Sequence, residues 1–150
     1  MLKKITIIVS LVFTAILFYV AYKYDAINNF KFASPKDFVP YYEAAANQFW
    51  LVGMIICFTS WLWVAIVAIK TKQLFWLWIP FIFTVFVALR NSYHDEQLFH
   101  FKKANGLWNG GFSLSYFFGI GIILIAGLII LINYFGLKKY FQKEKKQMRI

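Results

Sequence analysis

Four long apolar runs, parted by short polar ones, organise this chain: Ile5 to Tyr22, Phe49 to Ile69, Leu74 to about Tyr93, and Phe112 to Phe135. A helix facing lipid needs ~20 largely apolar residues to cross a hydrocarbon layer of ~30 Å. Each run meets that length, so the pattern predicts an all-α integral membrane protein with four transmembrane helices. The polar remainder falls into two longer loops, 23–48 and 94–111, and a basic tail, 136–150. Between the second and third runs only "KTKQ" intervenes, which is short enough to force a tight hairpin of antiparallel neighbours. No internal repeat, low-complexity stretch or linker divides the chain, and one domain over 1–150 is expected.

Local signals refine this plan. In "SPKD", Ser34 is positioned as an N-cap, with Pro35 following and Asp37 at the third helical position. Pro40 is expected to end that short turn and to start a new helix running into the second span. In the third span, Pro80 is expected to introduce a kink. Tyr19, Tyr22, Tyr24, Trp50, Tyr93 and Trp108 would mark one membrane interface, and Trp76, Trp78, Tyr134 and Tyr140 the other, where an apolar ring and a polar atom are both satisfied. Small residues at helical spacing let backbones approach in lipid. They recur as Ser10 and Thr14 in the first span, Gly53, Cys57 and Ser60 in the second, Thr84 in the third, and Ser115, Gly119 and Ala126 in the fourth. These seams predict a four-helix bundle, with hydroxyls available for bonds between helices.

Composition agrees with the membrane assignment: 61% of the 150 residues are hydrophobic and 22% aromatic, and mean hydropathy is +0.63. Lys3 and Lys4 precede the first run as in a signal peptide. That run exceeds the ~7–15 residues of a signal core, however, and "FYVAYKYDA" lacks a small-x-small cleavage site, so it is read as a true span.

Charge sets the orientation. With the N-terminus inside, Lys3, Lys4, Lys70, Lys72, Lys138, Lys139, Lys143, Lys145, Lys146 and Arg149 fall on one side with Glu144, a net +9. The opposite side has six basic and five acidic residues, a net +1. The positive-inside rule then places both termini in the cytoplasm of a bacterial inner membrane. The tail lysines Lys138, Lys139, Lys143, Lys145 and Lys146 are expected to lie on the anionic leaflet, each worth about 1 kcal/mol. Topology accounts for the overall charge of +10, and no nucleic-acid partner is expected.

Candidate chemistry concentrates in "RNSYHDEQLFH", residues 90–100. Its best catalytic reading is a metal site using His94, Glu96 and His100. On a helix, six residues leave the two histidines about 120° apart, which is poor spacing for shared ligation. An extended strand would put His94, Glu96 and His100 on one side. The reading carried forward is an outer interfacial amphipathic helix, with Leu98, Phe101 and Trp108 in the headgroup layer. Arg90, His94, Asp95, Glu96, His100 and Trp108 form its interaction face, and Arg90 is expected to pair with Asp95, Glu96 or an acid of the first loop. The single cysteine, Cys57, permits neither an internal disulfide nor paired-thiol chemistry. The spans contain no Asp, Glu, His or Lys of the kind an ion-coupled transporter uses, and no catalytic group or cofactor is expected.

Function follows from these features as an expectation: a non-enzymatic membrane protein that binds a membrane-protein partner or forms a homo-oligomer. Its ground plan, small, basic and four-spanning, resembles that of some immunity proteins against pore-forming bacteriocins. An oligomeric pore or transporter component, and an interfacial enzyme with a metal at 94–100, are the alternatives.

Overall fold

The computed structural model describes residues 1–26, 34–108 and 110–147, without the side chains at 24, 26 and 145–147. Among the described residues all regular structure is helical: α1 (Leu2–Ala26), α2 (Pro35–Thr71), α3 (Trp78–Ala104) and α4 (Ser115–Gln147), with a 3-10 turn at Leu74–Leu77 entering α3. Four helices among the described residues are long and apolar enough to cross a membrane. We call the end with both chain termini and the α2–α3 hairpin the terminus end, and the opposite one the loop end.

α2 begins as its sequence dictates. Ser34 has extended backbone and its hydroxyl accepts the Asp37 N–H, while the same hydroxyl donates to the Asp37 carboxylate at 2.8 Å. The break expected at Pro40 does not occur, since α2 runs unbroken from Pro35 to Thr71. Pro40 sits in the second turn, where it removes only the bond to the Lys36 carbonyl; the following turns pair normally. At 37 residues and 1.5 Å per residue, α2 is about 56 Å long and overshoots a ~30 Å hydrocarbon layer.

The hairpin is tight. Lys72 closes α2 in the left-handed region at φ 53°, its N–H returning to the Ile69 carbonyl. Pro80 falls in the first turn of α3, directly after the 3-10 turn, so the change of winding precedes it and the body of α3 follows without interruption.

The separate interfacial helix expected within 94–111 is absent, because residues 94–104 continue α3. No Gly or Pro interrupts that stretch before Gly106. There the helix ends in a Schellman arrangement: Gly106 at φ 67°, Leu107 N–H to the Lys102 carbonyl at 2.8 Å, and Gly106 N–H to the Lys103 carbonyl at 3.3 Å. α2 and α3 therefore both extend past the apolar core at the loop end. Their extensions pack on each other through Tyr42 and Ala46 on α2, with Phe38 and Leu98 against them.

The principal packing pairs are α1 on α2, α2 on α3, and α3 on α4. One core joins Leu17 and Ala21 of α1, Phe49, Ile56 and Cys57 of α2, and Phe83 and Val87 of α3. A second, at the terminus end, joins Val64, Val67 and Ala68 to Trp76 and Leu77, with Leu2 and Leu137 closing over it. The α2–α3 hairpin is thus the spine. α1 adds to it through edge and tilted ring contacts, Phe13 on Phe83 and Phe18 on Phe86, and α4 flanks α3.

Two glycines mark where backbones come closest. A Cβ on Gly53 would lie 2.6 Å from a Val87 methyl; one on Gly119 would overlap the Ser92 hydroxyl and lie 3.3 Å from the Ala88 carbonyl oxygen. Cys57, Ser60 and Ala126 are buried, and Ser10, Thr14, Thr84 and Ser115 half-buried. Among the described seam hydroxyls, Thr84 of α3 reaches across to the Cys57 thiol of α2, but the seam hydroxyls are mostly satisfied within their own helices. Ser10, Thr14, Ser60 and Thr84 each donate to a carbonyl of their own helix, three or four residues back. Further interhelical bonds come from other side chains: Trp63 Nε1–H donates to the Thr6 hydroxyl at 3.1 Å, and the Ser92 hydroxyl to the Ser115 carbonyl at 2.9 Å.

Candidate functional site: a polar clasp at the loop end

Above the apolar core, three helices contribute side chains to one polar cluster. α1 ends by offering Asp25, the arm of α2 offers Tyr42 and Glu43, and α3 offers Arg90, His94 and Lys102. The Arg90 guanidinium is ion-paired with Asp25 and stands 5.6 Å from the Tyr93 ring centroid. One turn further along α3, His94 is 2% exposed. Its Nε2 lies 3.6 Å from the other oxygen of Asp25, and its Nδ1 lies 3.4 Å from the Tyr42 hydroxyl. The rings of Phe49 and Tyr93 meet the imidazole edge-on. Two turns beyond, Lys102 is ion-paired with Glu43.

Each contact joins different helices, Asp25 to α3, Tyr42 to α3 and Glu43 to α3, so the cluster clasps α1 and α2 onto α3. Beside it lies a cavity of about 240 Å³, bordered by Asp25, Tyr42, His94 and Gln97, with Phe38 and Phe101 as aromatic walls. The line Asp25–His94–Tyr42 has the elements of a proton relay. It is also the pin holding three helix ends together, and burial of the imidazole among rings suits that second role.

The structure distributes the residues singled out in the sequence. Arg90 and His94 join the clasp, with Asp25 as the acid that Arg90 selects. Asp95 instead accepts from the Asn91 amide at 3.0 Å, and Glu96 meets His100 at 3.2 Å on the exposed side of α3. His94 and His100 are separated by helix rotation, the side chain of the second being 64% exposed against 2% for the first. The extended arrangement that would bring His94, Glu96 and His100 to one side is replaced by helix. Among the described residues no three His, Cys, Asp or Glu side chains converge. Trp108 packs its ring edge-on against Phe99 at 5.9 Å.

At the terminus end Lys138, Lys139 and Lys143 are exposed, Lys138 lying over the Tyr134 ring. Lys145 and Lys146 lie outside the residues whose side chains are described. Glu144 is paired with Lys72 at 2.9 Å, tying the tail to the hairpin.

Sequence reasoning missed Asp25, Tyr42, Glu43 and Lys102 as members of one site, since Asp25 falls in a loop with no helix assigned and the segments of Tyr42, Glu43 and Lys102 read as helices without a shared packing face. A signal for one pair was present. Glu43 precedes Trp50 by seven residues and Lys102 follows Tyr93 by nine, so on antiparallel helices they stand at matching heights above the same aromatic belt.

Comparison of the chain with protein-family models, with curated proteins and with solved structures finds no match.

Proposed function

We propose that this chain is a non-enzymatic, multi-pass protein of a bacterial cytoplasmic membrane, with both termini in the cytoplasm, whose loop end recognises another membrane or secreted protein. The observation carrying this reading is the use made of the charged groups at the loop end. Arg90 and Asp25, and Lys102 and Glu43, are engaged with one another across helices, which braces the arms of α2 and α3 into a stiff platform. Around it stand large aromatic side chains that remain exposed: Tyr41, Tyr93, Trp108 and Phe112. Rigid aromatic groups on a pre-organised support are the residues that dominate protein recognition. Such a surface suits an accessory subunit or a protein of the immunity or exclusion type. The unequal charge of the two ends, net +9 against +1, supports the orientation that exposes the platform outside the cell.

Site-specific photo-crosslinking tests this. A photoreactive residue at Trp108 or Phe112 should yield one discrete heterologous adduct in native membranes, lost when Arg90→Ala loosens the platform. The same probe at Ile132, on the lipid-exposed face of α4, should not yield that adduct. Adducts with this chain alone would replace partner recognition by self-assembly, and no adduct at either loop-end position would sink the proposal.

A further inference from the structure

Among the described carboxylates at the loop end, Asp95 meets no basic group and caps no helix. Asp25, Glu43, Glu96 and Glu144 each meet a basic group, and Asp37 caps α2. Asp95 is half-buried on α3, and among the described residues its hydrogen-bond partner is the neutral amide of Asn91. A carboxylate has about four acceptor positions, and a half-buried one beside a single neutral donor gains from a cation that completes it.

Asp95 borders two cavities between α3 and the approach to α4. The first, about 320 Å³, has Phe99, Trp108 and Phe112 in its wall. The second, about 420 Å³, continues from Asp95 past Ser92 and Gly119 toward the apolar core, with Trp50 and Phe118 as walls. Lys102 also borders the first cavity, but its ammonium is already neutralised by Glu43. The negative charge left unmatched there is therefore that of Asp95. A carboxylate beside aromatic side chains is the chemistry that holds an organic ammonium group, through charge and through cation–π attraction together. The second cavity is polar beside Asp95, at Asn91, Ser92 and Ser115, and its Trp50, Leu114, Phe118 and Ile122 walls offer space for a hydrocarbon chain attached to that group.

We propose that Asp95 and the aromatic wall of Phe99, Trp108 and Phe112 form a binding site for an alkylammonium group, carried by an aminophospholipid or by a free small amine. This goes beyond partner recognition and does not depend on it.

The test uses the full chain, delipidated in detergent, and native mass spectrometry. Phosphatidylethanolamine, phosphatidylglycerol with the same acyl chains, and free ethanolamine are titrated separately. The expected result is that an amine ligand binds, and that Asp95→Asn weakens it about tenfold, as loss of one charged hydrogen bond implies, while Asp95→Glu retains it. Phosphatidylethanolamine binding well above phosphatidylglycerol identifies a lipid as the source, and ethanolamine binding alone identifies a soluble amine. Trp108→Ala should weaken the same ligand and leave phosphatidylglycerol unchanged. Unchanged thermal unfolding of Asp95→Asn shows that it remains folded. Equal binding of the two lipids with no ethanolamine bound, or an amine preference that survives Asp95→Asn, overturns the proposal.

Discussion

Replacing Gly119 by alanine should destabilise the fold, although alanine is the better helix former. Gly119 is where α4 comes closest to α3. A methyl group there would overlap the Ser92 hydroxyl, and would sit 3.2 Å from Ser92 Cβ and 3.3 Å from the Ala88 carbonyl oxygen, against an optimum of about 3.5–4.0 Å between carbons. The hydroxyl can rotate away, but it then abandons the Ser115 carbonyl, a bond worth about 0.6 kcal/mol in a membrane. The carbonyl and Cβ can yield only if the helices separate, and overpacking of that kind costs about 1–3 kcal/mol. Alanine returns up to about 1 kcal/mol through helix propensity. The net expectation is a loss of roughly 1–2.5 kcal/mol. Gly121, two residues on, has open space at its Cβ position, so Gly121→Ala should be neutral or slightly stabilising. Ser92→Ala in the Gly119→Ala background should recover part of the loss by removing the overlapping atom. Thermal unfolding in detergent, or steric trapping in bilayers, measures all three. Equal stability of the Gly119 and Gly121 variants would refute the close-packing argument, and so would a Ser92→Ala effect that is simply additive.

Arg90→Ala should destabilise by about 1 kcal/mol, with Asp25 46% exposed and the pair correspondingly screened; a double-mutant cycle with Asp25→Ala should show coupling, and strict additivity would dissolve the clasp. Lys72→Ala, breaking the exposed pair with Glu144, should change stability by less than about 0.5 kcal/mol in the same unfolding assay. His94→Ala combined with His100→Ala should leave the metal content of the purified protein unchanged, because the two rings stand on different sides of α3; stoichiometric zinc, iron or copper in the wild type, lost in the variant, would contradict this. Reporter fusions at Thr71 and after Arg149 should read cytoplasmic and those after Lys31 and Asn105 external, and an external signal from the C-terminal fusion would reverse the orientation.

What the sequence made legible was whatever depends on one helix at a time. Span number, the Ser34–Asp37 cap and the tight turn at Lys72 each follow from local chemistry. Gly53 and Gly119 were readable as close approaches because glycine on an apolar helix face has few other uses. The hydroxyl seams misled because a serine or threonine in lipid can satisfy itself on its own helix. Ser10, Thr14 and Ser60 do so, Thr84 does so and also meets Cys57 across the seam, and side-chain type alone does not distinguish the two outcomes. The site was misread for a related reason. Polar composition after Tyr93 reads as a departure from the membrane and hence as a separate interfacial helix, whereas α3 itself persists for eleven more residues, to Ala104.

That persistence has a cause in packing rather than propensity. The extension of α3 past Tyr93 is laid against an equally overlong α2, and the contacts between them are of mixed kinds: Phe38 on Phe101, Tyr42 on His94, Lys102 with Glu43. Neither arm gains these contacts unless the other is helical too, so each helix past the core is stabilised by its partner as well as by its own caps and i,i+4 pairs. Asp25 then ties α1 to the same place through Arg90 and His94. The cluster that resembles an active site in sequence is thereby accounted for by the cost of ending three helices at one level outside an apolar core. By the same reasoning Asp95, which ties nothing together, is the residue at this end whose charge awaits something from outside the chain.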